Sequence, residues 1–366
     1  MSNEELVTGH PLLTVEGLRV SFSTRGLFGQ RTRTVDAVSD VSFSVGRGET
    51  LGVVGESGSG KSTTARAVMR LIDADAGSVV LDGVDLTALH GDALRQQRSA
   101  LQMVFQDPYS SLDPSMTISE AVEEPLEVHT QLSRSERREA AAELLDRVGL
   151  GVGFADRYPD ELSGGQRQRV AIARAIALHP KLVVCDESVS ALDVSTQNQI
   201  INLLDDIQES LGTSYLFIAH DLSVVRHIAH RVAVMYLGRI VEVGPTERVF
   251  SAPAHPYTEA LLSAIPLPLP SAQRRRGRIM LAGDPPDPSR QPSGCAFHPR
   301  CQHALDRCTT EAPVLQPVAG GGEASCHLLD LSDPPRLLGA SDPASDPASD
   351  EHPDASLLEF APETSA

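Results

Sequence analysis

No run of apolar residues in this sequence approaches the roughly 20 needed to cross a bilayer. The first ten residues, MSNEELVTGH, lack the basic-then-apolar layout of a secretion signal. Together these absences predict a soluble, cytosolic chain that meets a membrane only through partners. Positive charge is also scarce: 31 Lys and Arg stand against 49 Asp and Glu, a formal −18. That balance argues against nucleic acid as a partner. Nine acids and a single base, Arg336, lie from Asp330 onward, so the end of the chain holds a large share of the deficit. A solvated acidic tail is the expected form of residues 331–366, where the repeat SDPASDPASD offers no apolar surface to offset ordering entropy. Lysine is reduced to Lys61 and Lys181, which makes Lys61 conspicuous.

Strands and helices alternate through the first 250 residues. Leu12 to Ser23 and Val38 to Val45 alternate apolar and polar positions, as half-buried strands do. Thr50 to Val54 is a short apolar strand that runs into a glycine-rich loop, and Ser62 to Ile72 reads as the helix after it. Residues 108–160 are rich in Glu, Arg, Ala and Leu, and predict a helical subdomain inserted into an α/β core. Gly164 to Leu178 reads as a helix stopped by Pro180. Leu182 to Cys185 and Tyr215 to Ala219 read as buried strands, with a helix over Ile200 to Leu211 between them. Strands alternating with helices predict a mostly parallel sheet, with the chemistry at the strands' carboxyl ends.

The loop Gly55-Glu56-Ser57-Gly58-Ser59-Gly60-Lys61-Ser62, continued by Thr63, lies between strand and helix. That is the setting in which backbone N–H groups and a helix N-terminus can surround phosphates. Lys61 would reach the β- and γ-phosphates, and the Ser62 hydroxyl would ligate Mg²⁺. Asp186 and Glu187 follow the apolar strand. The first is placed as a Mg²⁺ partner and the second as the group that orients or deprotonates the attacking water.

Five further residues, Leu162-Ser163-Gly164-Gly165-Gln166, complete a set of motifs that resembles the ATP-binding cassette (ABC) family over residues 12 to 250. The resemblance implies an α/β P-loop NTPase (RecA-like) core with an inserted helical subdomain. It implies that Ser163, Gly164, Gly165 and Gln166 contact ATP held by a partner subunit. Ser163 taken alone would be a plain helix cap. By the same resemblance Gln106, in MVFQDP, is the Q-loop glutamine that senses Mg²⁺, and Asp193 ends the D-loop SALD. His220, in FIAHD, is the γ-phosphate switch, and Phe22 stacks on adenine. Ser188 departs from the family's usual proline after the Asp-Glu pair.

FQDPYSSLDP, SALDVSTQNQI, VMYLGRIVEVGP and HPYTEALLSAIP are similar to the ATPases of oligopeptide and dipeptide importers. The expected partners are therefore a sister ATPase, two transmembrane permease subunits and, indirectly, an extracellular substrate-binding protein. The expected location is the cytoplasmic face of the cell membrane. Peptides are the expected cargo, with nickel or sugars as alternatives. A soluble ABC protein of DNA repair would carry a long coiled coil between Lys61 and Leu162; about 100 residues without sustained heptads stand there. A translation-factor ABC protein would carry two cassettes. An exporter ATPase is a nearer rival, disfavoured by the region after residue 250.

Residues 251–330 form an irregular, proline-rich C-terminal extension with Cys295, Cys301, Cys308 and Cys326. No C-x-x-C pair is among them. Some peptide-importer ATPases hold a [4Fe–4S] cluster in this region, so the resemblance makes it an expectation here. Zinc, aided by His298, His303 or His327, and unliganded thiols are the alternatives.

Overall fold

The structure is a computed structural model, and it describes residues 10–25, 31–265, 279–281, 283, 286–332 and 337. The acidic tail expected after residue 330 lies almost wholly outside the described residues.

The strands are β1 (Leu13–Arg25), β2 (Arg31–Val45), β3 (Thr50–Val54), β4 (Ala76–Leu81), β5 (Val84–Asp85), β6 (Leu101–Val104), β7 (Leu182–Asp186), β8 (Ser214–Ala219), β9 (Arg231–Tyr236), β10 (Arg239–Pro245), β11 (Gln316–Pro317) and β12 (Glu323–Ala324). The α-helices are α1 (Lys61–Val68), α2 (Gly91–Gln97), α3 (Pro108–Ser111), α4 (Ile118–His129), α5 (Arg134–Arg147), α6 (Gly164–Ile176), α7 (Val194–Leu211), α8 (Leu222–Ile228), α9 (Thr246–Ser251) and α10 (Pro256–Ser263).

Two sheets result. The larger runs β11-β12-β10-β9-β3-β8-β7-β6, and the smaller, antiparallel one runs β2-β1-β4-β5. In the larger sheet β9, β3, β8, β7 and β6 are parallel, while β10, β12 and β11 add antiparallel pairs at one edge. Strands β3, β7 and β8 are buried at every residue, and such two-faced burial explains their unbroken apolar sequences. Their side chains alternate between two cores. Val54, Val183, Cys185, Tyr215 and Phe217 face one. Leu51, Val53, Val184, Leu216 and Ile218 face the other. The first core takes in the helices α4, α5 and α6; the second takes in β1, β2 and α1.

Helices α4, α5 and α6 open with the same device. Thr117 with Glu120, Ser133 with Glu136, and Ser163 with Gln166 each form a reciprocal capping box. The inserted helical segment is therefore built from locally specified starts. Helix α7 begins six residues before the expected Ile200, because Asp193 caps it by accepting from Thr196 N–H at 2.9 Å.

The region after residue 250 is tied into the same body. Glu242 and Val243 of β10 pair with Ala324 and Glu323 of β12, so a late segment extends the main sheet. Glu242, fully buried, forms an ion pair with Arg248 and accepts from Ala254 N–H at 2.9 Å and His255 N–H at 3.0 Å. Arg248 also donates to the carbonyls of Gly321 at 3.0 Å and Val243 at 3.1 Å. Phe297 packs edge-on to Tyr236, at 5.2 Å between centroids, and tilted against Tyr257 at 5.3 Å.

Candidate active site

The chemistry-bearing residues gather where β3, β6, β7 and β8 end. The loop after β3 needs glycine at Gly60, whose φ is 100° and where a Cβ would collide with the Ala37 carbonyl oxygen. Gly60 then stands as N-cap of α1 with no side-chain bond, leaving that helix's first N–H groups directed at the loop.

Lys61 is the first residue of α1 and is only 4% exposed. Its ammonium folds back on the loop, donating to the carbonyls of Gly55 at 2.8 Å and Glu56 at 3.0 Å. Burial pulls its pKa down, while Glu187, Asp186 and Glu56 push it back up. Polyanionic phosphates would compete for the same three donors.

Next to it, Ser62 donates its hydroxyl to Asp186 at 2.8 Å across 124 residues of sequence. Asp186 is 2% exposed, and burial pushes its carboxyl up from the usual range. An adjacent hydroxyl and carboxylate make an oxygen donor set of the kind hard divalent cations prefer.

Glu187 projects beyond the strand with φ at 47°, an uncommon conformation for a residue with a Cβ. Its N–H is held by the Ile218 carbonyl at 3.0 Å, and Ser190 Oγ donates to its own carbonyl at 2.9 Å. The carboxylate accepts from Gln106 Nε2 at 2.8 Å, and His220 Nδ1 lies 3.8 Å away. The pair Asp186 and Glu187 thus differs in burial and partners: one lies inside against Ser62, the other is less buried, between Gln106 and His220.

Ser188, in place of the family's proline, is buried. Ser190 and the Ile218 carbonyl, rather than a proline ring, hold this turn.

The 162–166 run lies elsewhere, at the start of α6. Ser163 accepts from Gln166 N–H at 3.3 Å, and Gln166 Oε1 accepts from Ser163 N–H at 2.9 Å. Both polar side chains are therefore engaged in capping their own helix. Asp193 holds its turn by accepting from Thr196 and Ser195, and these donors push its carboxyl down. Thr63 sits in the first turn of α1, and Phe22 on β1 is 49% exposed.

Two loop contacts were not singled out from sequence. Glu56 N–H donates to Tyr257 Oη at 2.9 Å, and the Glu56 carboxylate takes a two-pronged bond from Arg300, at 2.8 and 3.3 Å. Arg300 is 244 residues from Glu56, and no local pattern announces such a pair.

The cysteines are not arranged as a metal site: among the described residues, no group of three or more His, Cys, Asp or Glu side chains is placed to hold a metal ion. The expected cluster therefore has no preformed site here. All four thiols are free, and burial raises the pKa of Cys295, of Cys301 to about 11 and of Cys326 to about 12. His298 Nδ1 and His327 Nε2 bond to the carbonyls of Cys295 and Glu311, and neither ring joins a group placed to hold a metal among the described residues.

Residues 38–190 match the family model for ABC transporters, and residues 241–308 match the C-terminal region of oligopeptide/dipeptide transporters. A probable peptide ABC transporter ATP-binding protein of Sinorhizobium fredii is 54% identical over 87% of this chain and 90% of its own. The chain belongs to the ABC transporter ATPase family. The oligopeptide transport ATP-binding protein AppF of Bacillus subtilis is 47% identical over 87% of this chain and 97% of its own. Among solved structures, a dimeric post-hydrolysis ATP-binding cassette bound to ADP and Pi superposes with a TM-score of 0.58 at 31% identity. It covers 64% of this chain and 98% of its own. The cassette cbiO1 of Clostridium perfringens, part of an ABC transporter complex, gives 0.57 at 27% identity, over 66% and 91% of the two chains. These likenesses make the chain an ABC ATPase. No described helix is long and apolar enough to cross a membrane.

Proposed function

We propose that this chain is the ATP-binding and ATP-hydrolysing subunit of an ABC importer for oligopeptides or dipeptides. The observation that carries the hydrolytic part is the convergence of Lys61, Ser62, Asp186, Gln106, Glu187 and His220 at neighbouring strand ends. The match of residues 241–308 and the names of the relatives support the peptide class over nickel or sugars.

In this reading Lys61 and the loop N–H groups bind the β- and γ-phosphates of ATP. Ser62, Asp186 and Gln106 would hold Mg²⁺, which supplies charge neutralisation on the phosphates when bound. Glu187 orients the attacking water and accepts its proton. His220 contacts the γ-phosphate, and Phe22 stacks on adenine. Ser163, Gly164, Gly165 and Gln166 serve the ATP of a second cassette, with Asp193 linking the two sites. A dimeric cassette among the structural neighbours supports that arrangement. The second cassette is a sister chain, docked with this one beneath two transmembrane permeases on the cytoplasmic face, and an extracellular binding protein delivers the peptide.

Residues 1–250 act as the cassette and 251–330 as the importer-type extension.

The transport reading is tested with the assembled complex. Lys61→Ala or Glu187→Gln should abolish Mg²⁺-dependent ATP hydrolysis at this chain's site and suppress peptide uptake. Full hydrolysis at both sites in either variant would refute the assignment.

A further inference from the structure

A carboxylate inside a loop built for phosphates is unfavourable, because it repels the ligand. Glu56 is such a group: it follows Gly55 directly, and its charge is felt at the Lys61 ammonium. Arg300 answers it. Its guanidinium, with a side chain 7% exposed, grips both Glu56 oxygens, a geometry arginine provides and lysine cannot.

Arg300 is held in turn by its surroundings. It ends the short helical turn His298–Arg300, directly before Cys301. Phe297, three residues earlier, is locked among Tyr236, Tyr257 and His255. Tyr257 reaches the same loop residue, accepting from Glu56 N–H. Two elements beyond residue 250 therefore grip one position of the phosphate loop, one by its backbone and one by its charge.

We propose that Arg300 is a positioning residue of the ATP site, which cancels the Glu56 charge and places nucleotide affinity under the control of the cysteine-bearing extension. This rests on the loop being the ATP site. Removing the guanidinium leaves an unpaired anion in the loop, beside the Lys61 ammonium, so ATP binding weakens while the hydrolytic groups, on other strands, are undisturbed.

The test uses the full chain, with a fluorescent ATP analogue and Mg²⁺, and then ATPase kinetics in the assembled complex. Arg300→Gln, which keeps the size and loses the charge, should weaken binding about tenfold. KM should rise by a similar factor, with kcat nearly unchanged. Adding Glu56→Gln to it should restore most of the affinity, a rescue that a purely structural role would not give. Arg300→Ala, alone and with Glu56→Gln, repeats the comparison should the first variant not fold. Affinity within twofold of the parent in Arg300→Gln, or a double variant as weak as the single, overturns the proposal. A parent chain that binds no ATP analogue would instead overturn the reading of the loop.

Discussion

Gln106 and Glu187 are joined by a single hydrogen bond, 2.8 Å from Nε2 to Oε2, that spans 81 residues of sequence. The bond links the end of β6 to the end of β7 and fixes a carboxylate whose backbone already sits in a strained conformation. Gln106→Ala should therefore lower kcat by about 10- to 100-fold, the worth of a hydrogen bond to a charged group. Glu187→Gln should lower it further, by about 10²- to 10⁴-fold. Glu187→Gln should keep ATP affinity, measured by nucleotide binding beside steady-state ATPase assays, whereas Gln106→Ala, which also removes a group assigned to Mg²⁺, should weaken MgATP binding as well. Equal loss of affinity and turnover in Glu187→Gln would contradict a role confined to the water.

Ser163 carries two assignments that can be separated. As a cap it accepts from Gln166 N–H, and its loss should cost about 1 kcal/mol. Ser163→Ala should thus lower the melting temperature and abolish ATPase activity. Ser163→Asn, which can still cap, should restore the melting temperature and leave ATPase activity low. Recovery of both together would mean that the cap alone matters.

The fold should also weaken in acid through His255. This imidazole is buried, and burial holds its pKa down at about 3. Its Nδ1 accepts from Tyr257 N–H at 3.0 Å, capping α10, and a protonated ring cannot accept. The unfolded chain binds this proton near pH 6.5, so the contribution is complete above that pH. It is lost as pH falls from 6.5 toward 3, by about 1.4 kcal/mol per unit. His255→Asn keeps an acceptor without titrating. Denaturation series at pH 7 and 5 should show the parent losing more stability than the variant, and parallel losses would refute the account.

Glu242 and Arg248 form a buried pair whose partners reach in several directions. Removing one partner strands the other charge. Either Glu242→Ala or Arg248→Ala should cost about 3–5 kcal/mol. Glu242→Ala combined with Arg248→Met should cost less than Glu242→Ala alone. Denaturant midpoints decide it, and additive losses would argue against coupling.

Much of the fold was legible because its signals are local. Thr50 to Val54 reads as a buried strand because both its faces are covered, and the glycines after it admit only a tight loop. Helix boundaries slipped where capping outweighed apolar spacing, as at Asp193. The meeting of Ser62 with Asp186 could be anticipated, since phosphate loop and strand-end acid are both marked in sequence. Arg300 on Glu56 could not, because nothing near either residue specifies a contact so distant in the chain. The cysteines show the opposite hazard. Their crowding in sequence predicts a ligand set, yet chain proximity did not become a metal-binding arrangement.

The pairing of β12 with β10 has a consequence for biogenesis. During synthesis β10 leaves the ribosome long before Glu323 and Ala324 exist. Until they arrive, one edge of the main sheet has unpaired N–H and C=O groups, the kind of edge that invites association with other chains. The cassette therefore cannot complete its sheet as a nascent domain. Its maturation waits for the segment that carries β12, and a chain stalled before residue 323 would be a target for chaperones rather than a partner for assembly.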